Sequence, residues 1–265
     1  LERSIYKNDD TSCTLGVGTI SFGNADFNIS NGDSSNAKIV FDDVGKVNIR
    51  LIDKTWASVD ALDTVGDCSE NGSWICGDIN KTFIPANFEL TNPILKNENN
   101  AVFTYMSSDL TISAHIGLTI KAKNTKNQTT QNFDKNCFEN PISIALSLST
   151  PNTPTPIKKV LTNVNVGFAN GVISIPWNET NTTKQLKFNY IREKNKALNP
   201  FKVQGSQVQV DVSSTFGADN INGVSTLGDD AVFIYGRTNG LRQTIEDSHG
   251  IVFIYYEAYC YATDE

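Results

Sequence analysis

The amino-acid sequence predicts an all-β protein, and three features of the chain carry that prediction. Short runs alternate apolar and polar residues, which is typical of strands with one buried face; Val47, Ile49 and Leu51 form one such run. Turn residues separate the runs about every 8 to 12 residues. No helix of ordinary length is evident. Together these features favour tandem immunoglobulin-like β-sandwich domains.

The first domain is predicted over residues 1–84, as short strands parted by turns. Asn31-Gly32 is a hairpin signal. The runs 38–41 and 47–51 follow it as strands, and Trp56 adds apolar bulk.

The second domain, predicted over residues 85–198, is organised around the stretch 101–137. Leu118, Ile120 and Ala122 alternate there with polar residues and predict a half-buried strand. A run rich in Asn, Thr and Lys follows, as at the tip of a hairpin or in a long loop. We then expect Phe133 and Cys137 to turn back into the interior.

Two proline-containing segments bear on the limits of this unit, one at its start and one within the predicted range. Residues 84–90 read as a linker running into a first strand, because Pro85 cannot donate to a ladder. The Pro/Thr-rich run 150–156 is either a boundary or a long loop within one sandwich, and the loop is favoured. Residues 191–198 are the one candidate for a short helix.

The last unit is predicted over residues 199–265, as a β-rich domain that is either incomplete or packed on the preceding one. Val208, Val210 and Val212 mark a half-buried strand. The run 251–261 carries aromatic residues on both faces. We therefore expect it to lie centrally in a sheet or beneath a neighbouring domain.

Composition excludes some classes of partner. The 265 residues carry a net charge of −7 without a Lys/Arg cluster, which argues against a nucleic-acid groove or an anionic membrane as partner. No window reaches the roughly 20 apolar residues of a membrane span. The chain reads as a piece of a longer exported polypeptide, with a mature secreted protein as the alternative.

The five cysteines indicate disulfides and an oxidising, extracellular location. Cys68 and Cys76 flank an Asn-Gly turn, and a disulfide across a hairpin fits their spacing. Cys13 with Cys137 is a second candidate pair. Zinc fits poorly, because the two histidines are isolated and no Cys-x-x-Cys is present.

Asp60, Asp63 and Asp67 lie close together in one acidic segment. A Ca²⁺ site between β domains is one reading, because hard cations need several oxygen ligands. A solvated acidic loop is the favoured reading, since the spacing matches no EF-hand. No other cofactor is predicted.

Three Asn-x-Ser/Thr sequons carry an acidic residue two positions earlier, namely those at Asn28, Asn80 and Asn181. This resembles the extended sequon of bacterial oligosaccharyltransferases. For each site alone a chance match is the better reading, but together they favour an exported bacterial glycoprotein.

Several motifs occur in the order found in a known family. Residues 84–88 (IPANF) resemble the Pro-x-x-Phe start of the β-rich region of MshQ-like proteins, and residues 103–106 resemble its F-T-Y-M segment. Residues 121–124 with 129–133 are similar to its A-x-N…T-T-x-N-Y/F pattern. Residues 235–242 resemble its Y-G-R-x-R-L turn, with two extra residues.

The resemblance spans roughly Phe41 to Tyr259, with two departures. Lys126-Asn127 replaces the usual Gly before the Thr pair, and the cysteines at positions 68, 76 and 137 are not part of the pattern. MshQ-like proteins are associated with MSHA pilus biogenesis and large bacterial surface proteins. The resemblance therefore implies an exported, surface- or pilus-associated β protein without an active site.

The leading hypothesis is a non-enzymatic structural or adhesion module, a stalk or pilus-associated segment at the cell surface. Its partners would be neighbouring domains, pilus subunits or surface glycans. The alternative is a carbohydrate-binding module of a secreted enzyme or fibre protein. Trp74, within the Cys68–Cys76 loop, is the predicted exposed aromatic for ligand binding, whereas Trp177 and both histidines are assigned structural roles.

Overall fold

The computed structural model describes residues 2–6, 13, 16–22, 38–54, 66–69, 72–148, 158–161, 166–191, 198–240 and 249–259. Within these ranges, helical structure is limited to three single-turn 3₁₀ helices at Glu98–Asn100, Thr182–Lys184 and Gly205–Gln207. The all-β prediction is thus confirmed. The immunoglobulin-like form of that prediction stays a prediction.

Seventeen strands account for the regular structure of the described residues: β1 Glu2–Tyr6, β2 Ile20–Phe22, β3 Ile39–Phe41, β4 Gly45–Asp53, β5 Ile75–Phe83, β6 Asn87–Lys96, β7 Thr104–Tyr105, β8 Ala114–Lys123, β9 Ser143–Leu148, β10 Lys158–Leu161, β11 Val172–Ile175, β12 Leu186–Ile191, β13 Phe201–Gln204, β14 Val208–Phe216, β15 Asp219–Thr226, β16 Asp230–Gly240 and β17 Ile254–Tyr259.

The N-terminal part contains an antiparallel sheet of order β1-β4-β5 and a separate ribbon of β2 with β3. Strand β4 buries Val47 and Ile49, as its alternation predicts. Strand β5 was not predicted, because Gly77 and Lys81 interrupt the face that carries Ile79 and leave no clear alternation.

Strand β8 lies at the centre of the largest sheet. Strand β6 pairs with one edge of β8, while β12 and β11 pair with its other edge, and β10 extends the sheet beyond β12. The apolar face predicted for this strand is buried throughout, from Ala114 through Ile116, Leu118 and Ile120 to Ala122.

A bulge interrupts the pairing of β6 with β8 halfway along β6. A register shift separates Thr91 from Ile94, and between them Asn92 has a φ of 51°. Pro93 sits within this bulge, where the ladder does not need the amide that proline lacks. Beyond it, the Leu95 amide donates to the Gly228 carbonyl at 2.9 Å, so β6 also joins the loop before β16.

Two further sheets complete the described architecture. One has the order β15-β14-β9, and the other has the order β13-β16-β17 with β7 parallel to β16. Strands β9 and β7 belong to the predicted unit 85–198, whereas β14 and β16 belong to the predicted unit 199–265. These two predicted units therefore share two sheets.

Aromatic side chains fill the space where the sheets face one another. The rings of Phe133 and Phe168 pack edge-to-face, with their centroids 4.6 Å apart. Phe133 also contacts Phe88 of β6 and Phe216 of β14. Gly223 of β15 passes so close to β6 that an added Cβ would lie 2.2 Å from the Phe88 carbonyl oxygen. Only glycine allows that approach.

Strand β17 differs from its expected setting. Its residues Ile254, Tyr255 and Tyr256 are 50% or more exposed, and the strand lies at the edge of its sheet among the described strands. A central position in a sheet, one of the two alternatives predicted for 251–261, is thus not what the described strands show. The candidate helix at 191–198 falls largely outside the described residues.

Candidate functional site

A buried asparagine joins the N-terminal segment to the loop that follows β8. The Asn132 side-chain amide accepts a hydrogen bond from the Val17 amide at 2.9 Å and donates to the carbonyls of Val17 (2.7 Å) and Val44 (3.1 Å). The Asn132 side chain is fully buried. Its three bonds satisfy backbone groups that would otherwise be costly to bury.

Asp43 forms the other half of this contact. Its carboxylate accepts from the backbone amides of Val44, Gln131 and Asn132 at 2.8, 3.0 and 3.0 Å. Burial raises the pKa of the Asp43 carboxyl above its ordinary value of 3.8, and this effect outweighs the three amides that lower it; the neighbouring Asp42 adds to the rise. We call this contact the Asp43–Asn132 junction.

A disulfide reinforces the junction. Cys13 and Cys137 are bonded, with their Cα atoms 4.9 Å apart, and they tie the N-terminal segment to the same loop. Cys68 and Cys76 form the second disulfide, with a Cα separation of 5.8 Å. Both pairings are the ones expected from the sequence.

The polar run after β8 is a tight turn that supports the junction. The Asn124 side chain accepts from the amides of Lys126 and Gln128 at 2.9 Å each and donates to the Asp42 carbonyl at 2.8 Å. The Thr130 hydroxyl donates to the Ala122 carbonyl at 3.2 Å. Phe133 and Cys137 then return to the interior, as predicted.

The F-T-Y-M segment has a comparable packing role. The Thr104 hydroxyl is buried, donates to the Asn97 side-chain oxygen at 3.2 Å and accepts from the Glu98 amide at 3.0 Å. The same Asn97 oxygen accepts from the Val232 amide of β16 at 2.9 Å. Both motif segments are therefore used to connect elements of the fold.

A cavity lies at the end of the largest sheet, where β8 and β12 start. Its volume is about 340 Å³, which is within the range of small-molecule sites. Polar residues from the two strands, the Glu98 turn and the loop after β11 line it together with one tryptophan: Glu98, Asn99, Thr111, His115, Trp177, Asn178, Glu179, Thr180, Thr182, Gln185 and Lys187.

The floor of the cavity is a cross-strand pair. His115 of β8 and Lys187 of β12 are directly opposite each other in the ladder. His115 Nε2 lies 3.1 Å from a Glu98 carboxylate oxygen, which also accepts from the Ser113 amide at 2.8 Å. Within the described part of the chain, Glu98 is the hydrogen-bond partner of the His115 side chain, and no hydroxyl is bonded to it.

Lys187 is the most buried charged group in the cavity lining, at 5% exposure. Its ammonium donates to the Gln185 side-chain oxygen at 2.8 Å. No carboxylate of the described residues lies within ion-pair distance of it. The Gln185 side chain is held in turn by a bond to the Glu179 carbonyl.

The predicted ligand-binding residue, Trp74, is not freely exposed. Its side chain is half-buried, and the Lys54 ammonium lies 4.1 Å from the centre of its ring. One face of the indole is therefore covered, because a cation above an aromatic ring is electrostatically attracted to it.

The predicted calcium ligands are only partly described. Asp60 and Asp63 lie outside the described residues. The Asp67 carboxylate accepts from the Ser69 hydroxyl and amide, at 2.6 and 2.9 Å, and these bonds lower its pKa. Across the described residues, no three His, Cys, Asp or Glu side chains are grouped as metal ligands.

Of the three predicted glycosylation sites, Asn28 lies outside the described residues. Asn80 is exposed on β5, where its side-chain oxygen accepts from Asn48 at 2.9 Å. Asn181 is exposed and caps the Thr182–Lys184 turn by accepting from the Thr183 amide at 3.1 Å. In the described ranges, the structure contains no helix with the length and apolarity of a membrane span.

Comparison with known proteins identifies the family. Neither the curated proteins nor the solved structures contain a detectable match to the chain. One family model does match, over residues 82–234, and its description is DUF6701, third domain. The match begins at the end of β5, ends within β16 and covers more than half of the chain. The chain therefore belongs to the DUF6701 family, and residues 82–234 are its third domain.

Proposed function

We propose that the chain is a non-catalytic structural or adhesion segment of a large exported bacterial surface protein, a stalk or pilus-associated module. The junction carries this proposal. A disulfide and five hydrogen bonds at Asp43 and Asn132 bind the segment before the third domain onto that domain. Such a connection suits a chain whose successive units must keep a fixed relative orientation.

The disulfides support the exported location in this proposal. Disulfides persist in oxidising compartments and are rare in the bacterial cytosol. The resemblance to MshQ-like proteins supports the association with a pilus, and the three acid-preceded sequons agree with a surface glycoprotein. The proposed arrangement of the units is a series of immunoglobulin-like sandwiches.

The exposed strand β17 supports contact with a neighbouring domain or filament subunit. Residues 251–256 are consecutive large apolar side chains, each at least 50% exposed. Continuous apolar surface of this kind marks interaction sites on proteins that remain soluble. A neighbouring unit that covered β17 would remove this surface from water.

The non-catalytic part of the proposal rests on the geometry around His115. A histidine that serves as a general base needs a nucleophile or a substrate proton within hydrogen-bond reach. Among the described residues the His115 ring bonds Glu98 and no hydroxyl or thiol, and the Glu98 carboxylate also accepts from the Ser113 amide. This arrangement is suited to fixing the turn before β8.

Labelling of the parent protein on intact cells tests the proposal. With an epitope tag in the parent protein, we expect immunogold label on the cell surface or its filaments, and we expect Cys13 and Cys137 to resist alkylation before reduction. The double variant Cys13→Ser/Cys137→Ser should reduce the surface label, and Cys68→Ser/Cys76→Ser is its control. Cytosolic label with alkylatable thiols would contradict the proposal.

A further inference from the structure

The cavity beside His115 and Lys187 contains a buried charge whose hydrogen bonds are incompletely used. An ammonium has three N–H donors, and the hydrogen-bond partner of the Lys187 ammonium is Gln185. Burial of a charged group is costly unless its donors are satisfied. The ammonium therefore has donors available for the oxygen atoms of a molecule that enters the cavity.

The charges of the lining favour a neutral occupant. Glu98 and Glu179 bring two carboxylates and Lys187 brings one ammonium. A purely anionic ligand would meet the two carboxylates, and a metal ion would meet the ammonium. A molecule with several hydroxyls can accept from Lys187 and donate to the glutamates at the same time.

Trp177 supplies the flat apolar surface that complements such a molecule. It lines the cavity and is half-buried, so that part of the side chain remains accessible. Aromatic side chains give large contact areas with little loss of conformational entropy. The backbone of Trp177 is held in place, because Gly117 of β8 lies against its amide and Cβ.

Amide and hydroxyl groups complete the lining. Gln185 is buried and fixed by Lys187 and the Glu179 carbonyl, so its position is set before a ligand binds. Thr111, Thr180 and Thr182 also line the cavity. Oriented polar groups around one aromatic surface are the usual composition of a specific small-molecule site.

We propose that this cavity binds a neutral saccharide, with the sugar ring against Trp177 and its hydroxyls on Lys187, Glu98 and Gln185. The site is separate from the Cys68–Cys76 loop to which the sequence pointed. It does not depend on the proposed structural role.

Titration of the uniformly ¹⁵N-labelled full chain with saccharides tests the proposal. The probes are neutral hexoses, N-acetylhexosamines and their disaccharides, with a uronic acid and sialic acid as charged counterparts. The chain has three tryptophans, so each indole N–H signal can be assigned by substitution. We expect neutral saccharides to shift the Trp177 indole signal and the acidic ones to have little effect.

Two variants and one matched control extend the test. Trp177→Ala and Lys187→Met should each weaken the binding of the responding saccharide about tenfold, which corresponds to about 1.4 kcal/mol. Trp74→Ala changes the other described tryptophan and should leave binding unchanged. Dispersed amide spectra check that each variant is folded.

Three results would overturn the proposal. The first is an unchanged Trp177 signal in the wild-type chain with every saccharide. The second is a shift of the Trp74 signal with loss of binding in Trp74→Ala, which would move the site to the hairpin. The third is a response to the acidic sugars alone. The wild-type titration decides the question even if a variant fails to fold.

Discussion

Buried asparagine side chains connect the strands and loops of this protein. Asn132 bonds the backbone of two N-terminal segments, and Asn97 joins its own turn to β16. Asn189 of β12 donates to the carbonyls of Tyr105 and Ile112 and accepts from the Tyr190 amide at 2.7 Å. Each of these side-chain amides forms hydrogen bonds with backbone groups and so satisfies them.

Asp43 should make stability depend on pH in the opposite direction from most carboxylates. Because burial raises its folded-state pKa above 3.8, the folded protein binds this proton more tightly than the unfolded chain does. The contribution of Asp43 to the free energy of unfolding is therefore most favourable below pH 3.8. It declines as pH rises through the folded pKa.

A comparison with Asp43→Asn isolates this effect. The free energy of unfolding of the wild type minus that of the variant should fall as pH rises from below 3.8 through the folded-state pKa of Asp43. Urea denaturation at each pH measures both values. Asp78 and Asp230 have lowered pKa values and titrate equally in both proteins, so they cancel. An NMR-measured pKa of Asp43 at or below 3.8 would contradict the prediction.

The two disulfides differ greatly in the amount of chain that they enclose. Cys13–Cys137 joins residues 124 positions apart and ties the N-terminal segment to the loop after β8. Cys68–Cys76 spans 8 positions and stays next to the start of β5. Closing the longer loop removes more conformational entropy from the unfolded chain.

Removal of the two disulfides should therefore lower the free energy of unfolding by different amounts. Cys13→Ser/Cys137→Ser should lower the free energy of unfolding by about 5 kcal/mol and Cys68→Ser/Cys76→Ser by about 2.5 kcal/mol, on the loop-entropy estimate. Urea denaturation monitored by circular dichroism gives both values. A larger loss for the shorter loop would show that native-state packing determines the difference.

The sheets of the third domain join chain segments that are far apart in sequence. Strand β14 pairs with β9 over six residues, and β7 pairs with β16. The buried apolar residues of β13, β14 and β16 belong to one core cluster with those of β6, β8 and β12, and this cluster extends to Val47 and Ile49 of β4. The part of the chain from 85 to 240 therefore has a shared core, although the sequence divides it near residue 198.

Native-state hydrogen exchange should reveal the shared core of residues 85–240. We expect the ladder amides of β9 and β14 to exchange with one common opening free energy, equal within error to that of β8, because the buried side chains of these strands belong to one apolar core. The β4–β5 ladder, which pairs with no strand of those sheets in the described structure, serves as the comparison. A separate, lower opening free energy for β13 and β16 would instead support an independent C-terminal domain.

The strands that the sequence predicts best are those with an uninterrupted apolar face. β8 and β14 are examples, because each alternates over at least three apolar positions. Strand β15 was not predicted: its burial is confined to Ile221 and Gly223, and the glycine carries no apolar signal. It is held by pairing with β14, which the local sequence does not encode.

The residues of the candidate site were likewise not evident from the local sequence. His115 and Trp177 were assigned structural roles, and Glu98, Gln185 and Lys187 were not singled out at all. The sequence points the other way for Lys187, because its alternation with Leu186 and Phe188 predicts a side chain facing solvent, and only the structure shows that this strand is buried on both faces. A lysine in such a strand indicates a charge that the fold must accommodate.

The sequence by itself determined the all-β class, the strands with a clear period of two, the short-range Cys68–Cys76 pairing and the inward return of Phe133 and Cys137. These depend on local alternation, turn chemistry and cysteine spacing, which neighbouring residues encode. Only the tertiary structure decided which strands share a sheet, that asparagines are buried, and that Lys187 meets His115 and Trp177 at one cavity. Those features depend on contacts between residues distant along the chain, and such contacts leave no periodic pattern in either segment.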